Sequence, residues 1–374
     1  MRGAMKILTV VMIALCMVSC IKPFNPPVIS SGNLNYLVVD GFIMPGTATT
    51  IKLSRTLNIS DSFRFVPEQN AQLFIEGLSG SSYSFQTGID GVYTSPAVFL
   101  SNDDKYRLHI YLSDGREYTS DYVEAKQSPP IDSLEWEEAD DVSIYVNTHD
   151  PAGKARYYKW EFDETVEYRS IYESFVDYKD HQLIFLDPDQ YRYQCFKFYN
   201  STNIAIATSA ALTDDIIRRA RITIIPNDYS KIAFRYSILV KQYALTPDAY
   251  KYWQTLQANT EQNGNIFDPQ PAQLRSNIHN VANPDEPVIG FVSVSNFTEK
   301  RMFIRGTQLL HRPAIPYYDM CEVQFPDPSR WDELMGNGLN LPAFFQTGRG
   351  LAIAPAICVD CRLQGGTTQK PSYW

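Results

Sequence analysis

The chain lacks an apolar run long enough to cross a bilayer. The stretch Ile7 to Val18 is a dozen residues, where a helix spanning about 30 Å needs roughly 20. Histidine is scarce, with five in 374 residues, and no two stand four apart as the zinc-binding H-E-x-x-H pattern requires. There is no G-x-S-x-G elbow, no Walker loop and no D-x-D-x-D-G calcium loop. No 20–50-residue repeat recurs, which argues against a solenoid or propeller. Basic residues are outnumbered, 33 Lys and Arg against 42 Asp and Glu. A chain with that balance fits nucleic acid poorly, because binders of nucleic acid are basic. These absences remove the motif-bearing hydrolases and nucleotide-binding enzymes and leave no metal or cofactor to expect. A glycosidase needs only two carboxylates across a cleft, and 42 acids neither exclude nor locate such a pair.

What is present at the start is a secretory leader. Arg2 and Lys6 precede the apolar run, which stops at Met17-Val18-Ser19-Cys20. An apolar residue, two small ones and a Cys form the pattern a lipoprotein signal peptidase accepts. The reading assigns 1–19 to a signal peptide and Cys20 to thioether lipidation, with acyl chains such as palmitate holding the chain to a membrane. Each buried methylene adds about 0.8 kcal/mol to such an anchor. Removing 1–19 takes away Arg2 and Lys6 and no acid, leaving 31 basic and 42 acidic residues. Residues 20–33 (CIKPFNPPVISSGN) are rich in Pro and Ser and read as a tether.

From residue 34 the hydrophobic period is two. YLVVDGFIM, TTIKLSRTLN, NAQLFIEGL and SYSFQTG succeed one another at strand spacing. In DKYRLHIYLSDGREYTSDYV, Tyr106, Leu108, Ile110 and Leu112 alternate toward one face. Ser113-Asp114-Gly115 makes the turn, Asp-Gly being the strong hairpin signal, and His109 falls on the opposite face, expected to be exposed. About seven such strands predict an immunoglobulin-like β-sandwich over 34–127. Ser128-Pro129-Pro130 opens a larger β-rich domain, 128–374. There SIYVNTHDPAGKARYYKWEF reads as a hairpin with Asp150 to Gly153 at its tip. One helix stands out. Thr246-Pro247-Asp248 supplies a cap and a first-turn proline, and Tyr250, Trp253 and Leu256 follow at helical spacing, predicting a helix over about 247–262. The fold class is therefore mainly β.

Four cysteines remain beyond the leader and Cys20: Cys195, Cys321, Cys358 and Cys361. In an oxidising compartment they favour two disulfides, with three connectivities open. The C-x-x-C of Cys358 and Cys361 has no second pair and no histidine at ligand spacing, so it is read as a staple for the C-terminal tail. The final Trp374 is expected to dock rather than fray. For binding, Tyr172, Tyr178, Tyr191 and Tyr193 offer a stacking face, although sheet surface and core is the better reading. The long irregular stretch 264–287 offers Arg275, Asn280 and Asn283 to a partner, or else braces the fold. A glycan or a peptide is the ligand class expected.

Several segments carry a family likeness. LVVDGFI, IKLSRTL, NAQLFIEG, YRLHIYLSDGREYTS and IDSLEWE are followed by NIFDPQPAQLRSNIHN, VIGFVSVSN, KRMFIRG and CVDCRLQGGTTQKPSYW. In that order the chain resembles the domain-of-unknown-function family 4249, from about residue 20 to the end. The resemblance implies an outer-membrane lipoprotein, expected at the cell surface, that serves as accessory or lid to a TonB-dependent receptor in nutrient uptake. It supplies no catalytic residue. Ile21 to Asn25 lack the acids that often follow the lipidated Cys of surface-displayed members, so the resemblance speaks for outer-membrane attachment more directly than for outward display. The alternatives are a structural or adhesive envelope protein and, less favoured, a surface hydrolase.

Overall fold

The computed structural model describes residues 35–57, 66–226, 230–261, 272–311 and 321–374. The leader, Cys20, the tether and most of NIFDPQPAQLR lie outside them. The chain is mainly β, built from several sheets with a principal helix, α1, at Pro247–Glu261. Among the described residues no helix is long and apolar enough to cross a membrane.

The first layer pair follows the expected alternation. One sheet runs in the order Leu37–Asp40, Ala48–Arg55, Val92–Ala97, Gln86–Thr87. The other runs Ile278–Asn280, Glu117–Ser120, Lys105–Tyr111, Gln72–Gly77, Ser82–Ser84. Between them lies one apolar core that includes Leu37, Ile51, Leu53, Ile75, Leu108 and Ile110. Tyr106 and Leu112 are buried with them, as the period of two requires. The turn lies at Ser113-Asp114-Gly115, as expected. Leu112 N–H donates to the Arg116 carbonyl at 2.9 Å and Gly115 takes φ +86°, so Ser113-Asp114-Gly115 forms a three-residue loop.

The last strand of this sandwich comes from far along the chain. Ile278–Asn280 pairs antiparallel with Glu117–Ser120, and Ser293–Val294 pairs parallel with Phe42–Ile43. Ile278, Val288, Val292 and Val294 belong to the first core. Ile289 exchanges backbone hydrogen bonds with Leu37 and Val39 at 2.9 and 2.8 Å. The close crossing demands glycine next door: Gly290 has φ +132°, and a Cβ there would lie 2.1 Å from the Val39 carbonyl oxygen. The contiguous span 34–127 therefore holds most of the first sandwich, and residues 278–294 complete it.

A second sandwich follows. Ile131–Glu138, Val142–His149 and Ile216–Ile225 form one sheet. Gln194–Asn200, Tyr157–Arg169, Arg235–Ala244 and Phe297–Arg305 form the facing one. Their shared core contains Val142, Ile144, Val146, Trp160, Phe162 and Ile238. The expected hairpin around Asp150 is not one. Val142–His149 pairs with Ile131–Glu138 and Ile216–Ile225, whereas Tyr157–Arg169 belongs to the opposite sheet. Asp150 builds an arch between the layers. Its carboxylate accepts from the N–H groups of Ala152, Lys154 and Ala155 at 2.8–3.0 Å, and Gly153 and Arg156 take φ +64° and +59°.

A small lobe completes the fold. The hairpins Val176–Lys179/Gln182–Phe185 and Asn340–Gln346/Gly350–Pro355 share a core with Trp331, Leu334 and Met335. The disulfides are Cys195–Cys361 and Cys321–Cys358, so the two cysteines of the C-x-x-C take different distant partners. The tail beyond Cys361 docks on the second sandwich. Thr367 exchanges backbone hydrogen bonds with Phe196 at 2.8 and 3.0 Å. Trp374 packs edge-on against Phe196 and Phe303, and its indole N–H donates to Glu167 at 3.1 Å.

Candidate functional site

α1 sits where the two sandwiches meet. Thr246 Oγ1 accepts from the Ala249 N–H at 3.2 Å, capping the helix start. Ala249 packs in a junction cluster with Phe42, Tyr243 and Leu245, joined by Tyr157, Trp253 and Phe291. Lys159, only 5% exposed, projects into this cluster. Its ammonium lies 4.2 Å from the Trp253 ring centroid and 5.1 Å from that of Phe42, and it is ion-paired with Glu161. The cation thus binds a residue of the first sandwich to the helix through ring faces.

The opposite face of α1 borders a cleft of about 700 Å³, within the 300–1,000 Å³ range of small-molecule sites. Asp248, Lys251, Tyr252 and Thr255, at i, i+3, i+4 and i+7, form the helix wall. Lys105, Tyr122 and Glu124 form the facing wall on the edge of the first sandwich, and residues 272–277 with Phe291 close one side. Ser276 and Asn277 of that closing segment are committed to the fold. Asn277 makes two 2.9 Å hydrogen bonds with the Val292 backbone, and Ser276 Oγ donates to the Gly290 carbonyl at 2.7 Å. Burial pushes the Tyr252 hydroxyl up to about 12 against a hydrogen bond with Gly290 that works to lower it, so this wall is a neutral phenol at physiological pH.

The expected contact residues are dispersed. Arg275 is exposed and lines the cleft. Asn280 is buried and holds structure: its amide donates to Glu286 at 2.5 Å, and its oxygen accepts from the N–H groups of Ala282 and Asn283. Asn283 is exposed outside the cleft. The four tyrosines form no common face. Tyr172 donates to the Cys321 carbonyl at 2.8 Å and packs on Phe344. Tyr178 bonds Asp332 beside Trp331. Tyr191 packs against Phe175, and Tyr193 lies under Arg169. Sheet and core packing accounts for them.

His109 is the clearest departure from expectation. It lies on the face away from the core, yet it is 6% exposed. Its Nδ1 is 2.8 Å from Glu76 and its Nε2 is 2.7 Å from Glu117, with Tyr111 tilted over the ring at 4.3 Å. Neighbouring side chains on the same sheet face bury it, which alternation alone does not reveal. Burial works to raise the Glu76 pKa, but hydrogen bonds from His109 and Arg107 outweigh it and hold the carboxyl below its ordinary value. Among the described residues, no three His, Cys, Asp or Glu side chains converge as a metal site. Sequence reasoning missed Lys105, Tyr122, Lys251 and Tyr252. The helical spacing of Asp248, Lys251, Tyr252 and Thr255 was the one available signal for the helix wall.

A mainly β architecture with a cleft at the joint of two sandwiches defines a class of modular β protein. The chain belongs to the family described as Domain of unknown function (DUF4249), whose profile matches residues 21–301. The match takes in the first sandwich, the cleft and most of the second sandwich, ending within the strand Phe297–Arg305. No curated protein matches the chain. Among solved structures, the Yersinia pseudotuberculosis adhesin InvE aligns at 12% identity and a TM-score of 0.15, over 57% of this chain and 58% of that one. The chain therefore spans less than two thirds of that structure, and a likeness of this degree carries no argument about fold or function.

Proposed function

We propose that this protein is a lipid-anchored component of the outer membrane that captures or gates a nutrient for a TonB-dependent transporter, without catalysing a reaction. The observation that carries the anchor is Met17-Val18-Ser19-Cys20 at the end of a short apolar run behind Arg2 and Lys6. The transporter partner rests on the family resemblance. The concave site at the sandwich junction, walled by Tyr122 and Tyr252, supports capture over the rival reading of an adhesive or structural spacer, which needs no such cleft. Lipid on Cys20 sets the reach: about 15 residues of tether extend at most roughly 50 Å, enough to hold the junction over the mouth of a neighbouring barrel.

The test is solubilisation of native membranes in mild detergent, followed by capture of the tagged protein. Co-purification of an outer-membrane barrel, lost when Cys20→Ala releases the protein into the soluble fraction, is the expected result. Capture of the protein with no barrel, from membranes in which it remains anchored, overturns the transporter reading.

A further inference from the structure

The cleft carries a charge pattern that specifies its ligand further. Three cations from three separate segments line it: Lys105 at the start of its strand, Lys251 on α1 and Arg275 on the closing segment. None of the three has a carboxylate partner among the described residues. Three acids share the lining, and one of them is paired with a lysine outside it. Asp121 lies 3.4 Å from His279, and Glu124 is paired with Lys126 at 2.6 Å. The third, Asp248, stands in the first turn of α1, where the positive end of the helix dipole favours it. Counted by what lacks a lysine or arginine partner among the described residues, the cleft offers three positive groups against two carboxylates, Asp121 and the helix-stabilised Asp248. That excess sits in a chain whose net charge is −9. Tyr122 and Phe291 supply apolar surface beside it, backed by the buried ring of Tyr252.

We infer that the cleft binds a carboxylate-bearing small molecule, with Lys251 on the helix wall and Arg275 on the closing side clasping the carboxylate and Lys105 on the facing wall adding to the field. Guanidinium and ammonium donors make stronger hydrogen bonds to a carboxylate than to neutral oxygen, and the aromatic surface takes the ligand's uncharged body. This rests on the capture reading for its biological use, but not for its chemistry. An acidic sugar and an acidic peptide share the group that the cleft recognises.

The experiment uses the full-length protein in detergent and isothermal titration calorimetry with two matched pairs. One pair is digalacturonate and the neutral galactose disaccharide. The other is N-acetylated Glu-Ala-Glu and Gln-Ala-Gln acetylated at its N-terminus and amidated at its C-terminus. The expected result is saturable binding of at least one acidic probe with a Kd below about 1 mM, no heat from its neutral partner, and at least a tenfold loss in both Lys251→Glu and Arg275→Glu. The pair that responds identifies the source of the carboxylate. Lys52→Glu, at an exposed position outside the cleft, keeps the affinity of the parent, and circular dichroism melts establish that each variant is folded. Failure of both acidic probes at about 10 mM, equal binding of a neutral partner, or unchanged affinity in the folded cleft variants overturns the inference. Retained capture of the barrel by a variant that no longer binds the acidic probe separates this failure from that of the transporter reading.

Discussion

Removing the Cys195–Cys361 disulfide should destabilise the protein more than removing Cys321–Cys358. The bridges span 166 and 37 residues. On the chain-entropy account, a cross-link restricts the unfolded chain by an amount that grows as the logarithm of the loop it closes. That gives about 5 kcal/mol for the longer loop and about 4 kcal/mol for the shorter. The bridges are not independent, because Cys321–Cys358 offers a shortcut. With it closed, the covalent path from Cys195 to Cys361 falls to roughly 130 residues, and the logarithm leaves the figure near 5 kcal/mol. The native side points the same way. Cys361 is fully buried with Tyr168, whose hydroxyl donates to the Cys361 carbonyl at 3.0 Å, and the tail that follows docks on the second sandwich.

The assay is thermal unfolding of Cys195→Ser/Cys361→Ser beside Cys321→Ser/Cys358→Ser, with free thiols titrated to establish that the remaining bridge is intact. For a cooperative unit of 150–250 residues, each kcal/mol moves Tm by about 2–4 °C, so the first variant should fall by about 10–20 °C. Hydrogen exchange should accelerate first across 361–374. A folded first variant melting within about 3 °C of the parent would refute the reasoning, as would peptide mapping that joins Cys358 to Cys361.

Three further outcomes follow from the geometry. Gly290→Ala forces a Cβ to 2.1 Å from the Val39 carbonyl at φ +132° and should cost about 2–4 kcal/mol, read from the urea midpoint; a change under about 0.5 kcal/mol would show that the crossing relaxes freely. Glu76 has a folded pKa below its ordinary 4.5, so its contribution to stability is present above that value and lost as pH falls through the folded pKa; Glu76→Gln should flatten the acid limb of the stability curve, and an unchanged limb counts against the His109 and Arg107 contacts. Lys159→Ala should cost about 2 kcal/mol by emptying the cage formed by Phe42 and Trp253, with a matching rise in protease cleavage at the junction; equal stability and equal cleavage would show that the cation does not hold the two sandwiches together.

The parts of the fold legible in the sequence are those set by neighbours along the chain. Alternation placed Tyr106, Leu108, Ile110 and Leu112 in the core, and Thr246-Pro247-Asp248 announced α1 within a residue of its start. What was not legible depends on pairing at a distance. Asp-Pro-Ala-Gly at 150–153 suits a hairpin tip and an arch between sheets equally well, because the local turn is similar and only the destination of Tyr157–Arg169 differs. His109 obeys the alternation and is still buried, since its cover comes from Glu76, Tyr111 and Glu117 on three strands.

The cleft shows the same limit at the level of function. Arg275 could be singled out because it lies in a long irregular stretch, and such stretches inside compact domains are often functional. Lys105 and Lys251 could not, because exposed lysines in a strand and a helix are ordinary until the fold brings them to one cavity. Within the described residues the segment braces the fold, and the recognition proposed for Arg275 is compatible with that role. Asn277, Ile278 and Asn280 are spent on completing the first sandwich, and that fixed backbone holds Arg275 at the lip of the cleft. A residue two or three positions from a committed strand keeps its side chain free while its backbone is fixed. On the proposal above, bracing fixes the backbone from which Arg275 reaches the cleft, so a ligand drawn to it would meet a position whose main chain is already ordered.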